Sequence, residues 1–190
     1  MKKVSISILC GGKSSRMQSE KGLVLFQGKP FIEHIIEAVL PISDAIQLVT
    51  NSADYDYLAF KKIKDIELHK GPIGGIYSAL VHSESENNLI LSCDIPLIST
   101  ELLSELIAKH TTDFEVSVFS DAHKIHPLIG IYSKKIIPIL KRSIDENDLK
   151  MMHLLDKLNH QIIEVEGERS KHFRNINSLA ELKELNTKIE

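Results

Sequence analysis

Short β-rich runs alternate with longer stretches of helical period along this chain, and that alternation constrains its fold more than any other feature. The strand-like runs fall at residues 4–9, 45–50, 66–69, 88–93, 114–120, 128–132 and 162–165. Several show no polar alternation, as expected of strands covered on both faces. Between them, Ile32, Ile35, Ile36 and Val39 form one apolar stripe behind Pro30, a residue that the first turn of a helix accepts. Further helices are predicted at 73–82, 100–109, 136–144, 149–158 and 179–185, the last opened by Ser178 and Glu181 at capping-box spacing. This order predicts an α/β fold, a mostly parallel sheet with helices on both faces. At 190 residues and 43% hydrophobic, the chain can enclose one substantial core, and residues 1–190 are expected to form a single domain.

A formal charge of -3 lacks the basic excess that phosphate-backbone binding asks for, which argues against a nucleic-acid protein. Cys10 and Cys93 are the only cysteines and do not form a Cys-x-x-Cys pair, so a reducing, cytoplasmic compartment fits. Lys2 and Lys3 precede a short apolar run, but Gly11, Gly12, Lys13 and Arg16 interrupt it before it reaches the length of a secretory signal. No stretch approaches the length of a membrane span, and no membrane partner is expected.

The first strand runs directly into Cys10-Gly11-Gly12-Lys13-Ser14-Ser15-Arg16-Met17. In an α/β sheet this junction lies at the carboxyl edge, where ligands collect. Two glycines there permit close backbone approach, and successive amides can form a concavity for anions. Lys13, Arg16 and Lys21 add three cations. A triphosphate suits such a loop, because its many negative oxygens need several charge-assisted donors at once. Two other phosphate loops fail the same test. Gly12-Lys13-Ser14 imitates the end of a P-loop, but the first glycine of that motif would fall on Ser7. Positions 11–16 also lack the dinucleotide-binding pattern. A glycine-rich turn carrying surface cations is the plainer alternative.

Residues 88–93 lead into Cys93-Asp94-Ile95-Pro96, so Asp94 emerges at the same edge. Magnesium held by one or two carboxylates, with phosphates completing its shell, is the chemistry such an aspartate supports; capping the turn before Pro96 is the alternative. Gly71-Pro72-Ile73-Gly74-Gly75 offers bare backbone to a base or ribose, or is an ordinary connection. Asn51 ends a strand and offers both donor and acceptor to a nucleotide, or simply forms a turn. His123 and His126 have no third soft ligand at a recognised spacing, which argues against a soft-metal site. His126-Pro127-Leu128 reads as a wall for an acceptor substrate or as a turn. Cys10 and Cys93 have no evident general base and read as small buried residues.

Taken together, Leu9-Cys10-Gly11-Gly12-Lys13-Ser14-Ser15-Arg16-Met17, Glu20-Lys21, Gly28-Lys29-Pro30, Gly71-Pro72-Ile73-Gly74-Gly75, Cys93-Asp94-Ile95-Pro96, His126-Pro127-Leu128 and Asn175-Ile176-Asn177 resemble the molybdenum cofactor guanylyltransferase, or MobA-type, family. The match in order and spacing runs nearly end to end. The opening motif is shared by many nucleotidyltransferases, whereas the glycine-proline loop and the late Asn-x-Asn narrow the resemblance. It implies a Rossmann-like three-layer sandwich that binds GTP with Mg²⁺. Such an enzyme attaches GMP to the terminal phosphate of molybdopterin, or of its molybdenum form, and releases pyrophosphate.

Carried over by position, the resemblance assigns Leu9, Cys10, Gly11, Gly12, Lys13, Ser14, Lys21, Asn51, Asp65, Gly71, Pro72 and Asp94 to the nucleotide. Arg16, Lys21 and Asp94 would be catalytic, with Asp94 also holding Mg²⁺. His126, Asn175 and Asn177 would face the pterin. Cys10 and Gly74 stand where the family usually has alanine, and Glu20 where aspartate precedes the lysine; these departures touch guanine selection. Asp65 is taken as the family's aspartate before the glycine-proline loop, with Glu67 the alternative. A related enzyme using CTP or a sugar-phosphate acceptor shares the first loop, and a non-catalytic GTP sensor is a reading of another class. The resemblance also leaves room for proteins that deliver or receive the cofactor.

Overall fold

A computed structural model describes residues 4–11, 13–14, 19–176 and 181. Seven strands form one sheet: β1 (Ser5–Leu9), β2 (Ile46–Val49), β3 (Lys61–Ile63), β4 (Asn87–Ser92), β5 (Val116–Ser120), β6 (Ile125–Ser133) and β7 (His160–Glu164). Their spatial order is β7-β5-β6-β4-β1-β2-β3. β6 runs against β4 and β5, while the other pairings are parallel. The reversal follows from the short connection at residues 121–124, since a parallel crossover needs about a dozen residues or more.

Two helical layers cover the sheet, as the sequence pattern predicts. On one face, α1 (Phe31–Val39) and α3 (Thr100–Lys109) pack Ile32, Ile35, Leu103 and Leu106 over Ile6, Ile8, Leu48 and Leu91. On the other, α2 (Gly71–His82), α4 (Ile137–Asp145) and α5 (Met151–Asp156) pack Ile73, Ile76, Leu140 and Leu154 over Leu9, Ile90, Val118 and Tyr132. Successive residues of β1 therefore serve opposite faces. Gln47, buried between sheet and helix, is paired: its Nε2 donates to Ser7 Oγ at 2.9 Å and to the Ala79 carbonyl at 3.0 Å. α2 also comes close to the end of β1, where a Cβ built at Gly75 would stand 3.3 Å from Leu9 Cδ2.

The strand expected at residues 66–69 is not formed; the third strand is Lys61–Ile63 instead. The alternation Ile66-Glu67-Leu68-His69 imitates a half-buried strand, yet Ile66 and Leu68 are exposed and His69 turns the chain at φ 62°. β3 lies at the sheet edge, where Lys61 and Lys62 blunt further pairing and also mask the strand pattern. Gly71 and Pro72, read as a connection, belong to the first turn of α2. The helix expected at 179–185 and its capping box fall outside the described residues apart from Glu181. No helix among the described residues is long and apolar enough to cross a membrane.

Candidate active site

β1 and β4 are parallel neighbours, so their carboxyl ends leave the sheet side by side. The Cys93 amide donates to the Leu9 carbonyl at 3.2 Å, and the Cys10 amide to the Val49 carbonyl at 2.9 Å, which holds the root of the glycine-rich loop between β2 and β4. Asp94 follows immediately and is only 5% exposed. Its Oδ1 accepts from Ser92 Oγ at 2.5 Å and from Asn175 Nδ2 at 2.9 Å; Oδ2 lies 3.2 Å from Lys21 Nζ. The Ile176 amide also donates to the Asp94 carbonyl at 3.0 Å. A carboxylate offers about four lone-pair positions, and with these bonds Oδ2 keeps capacity for a further cation. Residues distant in sequence, Lys21, Asp94 and Asn175, thus meet at one point of the sheet edge.

Beyond the ends of β2 and β3, Asn51 Nδ2 donates to Asp65 Oδ2 at 2.8 Å and the Asp65 amide donates to Asn51 Oδ1 at 3.2 Å. This double contact fixes which way the Asn51 amide faces. Glu67, the alternative acid, pairs with Lys141 at 3.3 Å. The contact of Gly75 with Leu9 brings the amino end of α2 to the same edge, with Gly71 at φ 56° and Pro72 in its first turn. Proline there gives up no hydrogen bond, because first-turn amides lack helical partners in any case.

His126 is the second residue of β6 and is buried, with Nε2 2.8 Å from Asp121 Oδ2. Burial lowers the pKa of His126 against the opposing pull of Asp121. Burial alone would raise that of Asp121, but hydrogen bonds from His126 and from the His123 and Lys124 amides outweigh it and hold the carboxyl below its usual range. A neutral imidazole facing a charged carboxylate carries its proton on Nε2, which leaves Nδ1 as an acceptor. The His126 ring lies 4.8 Å from that of Phe173, which stacks on Phe119 at 5.0 Å. A cleft of about 330 Å³ opens beside them, lined by Lys124, His126, Lys171, Phe173, Arg174 and Asn175 among others. Asn175 therefore joins the cleft to Asp94.

Residues 6–162 match the family described as the MobA-like NTP transferase domain. The chain belongs to this family. A Flavobacterium johnsoniae protein named "Probable molybdenum cofactor guanylyltransferase" is 62% identical over 189 residues, covering 100% of both chains. A Carboxydothermus hydrogenoformans protein of the same name is 32% identical, covering 97% of this chain and 96% of its own. Among solved structures, molybdopterin-guanine dinucleotide biosynthesis protein A of Archaeoglobus fulgidus superposes with a TM-score of 0.82 at 24% identity, covering 98% of each chain. That last likeness speaks to the fold alone.

Within this MobA-like chain, Gly12, Arg16 and Asn177 lie outside the described residues, as do the side chains of Lys13 and Ser14. The backbone of Lys13–Ser14 pairs antiparallel with Ser19–Glu20, so the loop doubles back before Lys21. Among the described residues no group of three His, Cys, Asp or Glu could hold a metal ion, and Asp94 is the carboxylate that meets Lys21 and Asn175 at this edge. Both cysteines are buried, and burial pushes the Cys10 thiol well up and that of Cys93 up to about 12. Neither can serve as a thiolate nucleophile near neutrality. Gly74 has a local steric reason here: a Cβ at that position would stand 2.8 Å from Lys70 Cβ and 3.1 Å from the Glu67 carbonyl oxygen. Sequence reasoning missed Ser92, Asp121 and Phe173. Ser92 ends β4 two residues before Asp94 in the turn that follows, a spacing visible in the sequence; Asp121 and Phe173 carry no motif.

Proposed function

We propose that this chain transfers GMP from GTP to the phosphate of molybdopterin and releases pyrophosphate. The observation that carries the reading is the meeting of Lys21, Asp94 and Asn175 between the Asn51–Asp65 pair and the cleft beside His126. A cation and an acid are held together where a nucleotide arriving along β1 and an acceptor lying in the cleft would touch. The names of the Flavobacterium and Carboxydothermus relatives support guanine as the base and the molybdenum cofactor as the acceptor. Residues 1–190 are read as one nucleotidyltransferase domain working in the cytoplasm.

A phosphate oxygen of the pterin attacks the α-phosphorus of GTP, the bond to the bridging oxygen breaks, and pyrophosphate leaves with the electron pair. The attacking monoester is already anionic near neutral pH, so positioning and electrostatics supply the acceleration without a dedicated base. Lys21, together with Arg16, takes up the charge that grows on the leaving pyrophosphate. Asp94, oriented by Ser92 and Asn175, is the residue that would hold Mg²⁺; one hard carboxylate completed by phosphate oxygens and water fits that ion. When bound, the ion neutralises charge on phosphoryl oxygens.

On this reading the backbone from Leu9 to Gly12, with Lys13, Ser14, Asn51, Asp65, Gly71 and Pro72, holds the nucleotide. His126, Asn175 and Asn177 hold the pterin. Mixing the purified protein with GTP, Mg²⁺ and molybdopterin and identifying the product by mass tests the proposal. The guanine dinucleotide and pyrophosphate are expected. Product only from CTP, or only with a sugar phosphate, assigns the chain to that chemistry instead. GTP binding without pyrophosphate release assigns it to a sensor.

A further inference from the structure

We propose that Tyr55 is a positioning residue that fixes Lys21 by pinning together the two ends of the phosphate loop. The loop leaves β1 at Cys10 and returns through a single 3-10 turn, Lys21–Leu23, whose first residue carries the ammonium found 3.2 Å from Asp94 Oδ2. Tyr55 closes a separate 3-10 turn, Ala53–Tyr55, beyond the end of β2, and its side chain is fully buried. Its hydroxyl lies 3.5 Å from the Cys10 carbonyl, where the loop begins, and stands directly against the Gly22 backbone, where the loop ends.

The Cys10 contact is long for a hydroxyl donor, but the Gly22 side is tight. A Cβ built at Gly22 would stand 2.8 Å from the Tyr55 hydroxyl oxygen, 3.3 Å from Tyr55 Cε1 and 3.3 Å from Cys93 Cβ. The Gly22 backbone is therefore held between the Tyr55 ring and Cys93, and its sequence neighbour Lys21 is set against Asp94, the neighbour of Cys93. Burial pushes the phenol far above its ordinary pKa, so the hydroxyl stays protonated at any working pH. A buried hydroxyl is costly to leave unbonded, and a residue serving only to fill this space would be phenylalanine. This hydroxyl faces the two ends of one loop.

The inference rests on the proposed reaction for its kinetic readout only. GMP transfer to molybdopterin is measured at saturating GTP and Mg²⁺ for the unmodified chain, Tyr55→Phe, Gly22→Ala and Lys21→Ala. The combinations of Tyr55→Phe with each of the other two are measured alongside, with a thermal midpoint for every variant. Tyr55→Phe is expected to lower kcat about tenfold to a hundredfold, the scale of a misplaced group near the chemistry. On a Lys21→Ala background it should cost less than about twofold, because the residue through which it acts is already gone. Gly22→Ala should lose turnover through its clash with the hydroxyl, and adding Tyr55→Phe should return part of that loss.

Full turnover in Tyr55→Phe, or a loss that multiplies with that of Lys21→Ala, overturns the clamp. If Tyr55→Phe does not fold, Gly22→Ala carries the same comparison against Lys21→Ala. A crystal structure of Tyr55→Phe gives a readout independent of catalysis: Lys21 Nζ is expected beyond about 4 Å of Asp94, outside ion-pair range. If that pair stays in place, the clamp is rejected. Absence of product from the unmodified chain would count against the proposed function alone.

Discussion

Asp94→Asn tests the centre of the site with the smallest change of shape. Ser92 Oγ and Asn175 Nδ2 both donate to Oδ1, and an amide oxygen in that place can still receive them. Lys21 Nζ, 3.2 Å from Oδ2, would instead face an amide nitrogen, donor against donor. Removing one partner of a fully buried ion pair costs about 3–5 kcal/mol, and exposed pairs contribute about 1 kcal/mol or less. The acid is almost fully covered but the lysine side chain is 25% exposed, so water can take up the stranded ammonium. The expected loss lies between those limits, about 1–2 kcal/mol, or roughly 2–8 °C in thermal midpoint for a chain of this size. A domain with about 5–15 kcal/mol of stability remains folded after such a loss. Turnover should fall much further, about 10²–10³ in kcat, because a preorganised charge partner of the reacting phosphates is gone. Thermal melts and pyrophosphate release at saturating Mg²⁺ read the two quantities separately. Turnover above about a tenth of the unmodified chain would refute the role of Asp94. A fall in midpoint beyond about 15 °C would show that the carboxylate serves the core rather than the chemistry.

Asp65→Ala releases the Asn51 amide and should raise KM for GTP about tenfold, the worth of a hydrogen bond to a charged group, with kcat within about twofold; a change in kcat alone would place the pair elsewhere in the reaction. The pKa of His126 is lowered by burial, so the unfolded chain, whose imidazole titrates near about 6.5, binds the proton more readily than the folded one. The resulting stability is present above about pH 6.5 and is lost as pH falls through that value toward the folded pKa. Thermal midpoints from pH 7.5 to 5.5 should decline, less steeply for His126→Asn, and a midpoint that rises on acidification contradicts the reading. Gly130→Ala would place a methyl carbon 2.7 Å from Val118 Cγ1 and 3.0 Å from the Ser117 carbonyl oxygen, between β5 and β6. Overpacking of this kind costs about 1–3 kcal/mol in urea unfolding, and an unmoved midpoint would mean that the strands separate more freely than the structure indicates.

What could be read from the chain in advance divides along a physical line. Strands buried on both faces exclude charged residues, so β1, β2 and β4, which hold none, announce themselves, and a glycine-rich turn carrying cations directly after β1 has few uses. β3 escaped because an edge strand protects itself with lysines, while the more apolar residues 66–69 that follow lie on the surface. Pairings across elements left no trace in spacing. Asn51 and Asp65 meet only because β2 and β3 are parallel neighbours, and Tyr55 reads as one more core aromatic until its hydroxyl is found between Cys10 and Gly22.

On the proposed reading, the acceptor side of the site depends on the one strand that breaks the parallel rule. Because β6 runs backwards, it begins at the edge where β4 and β5 end, so His126 opens onto the cleft lined by Asn175, which bonds Asp94. A parallel strand in the same place would carry His126 to the opposite edge, about 30 Å away for nine residues at strand rise. The connection at residues 121–124 is too short to allow that, and within it Asp121 accepts hydrogen bonds both from the amides that close the turn and from Nε2–H of His126. The turn that reverses the chain therefore also sets the tautomer of the side chain it delivers, and the same few residues place His126 at the rim where, on the proposed reading, nucleotide and acceptor meet.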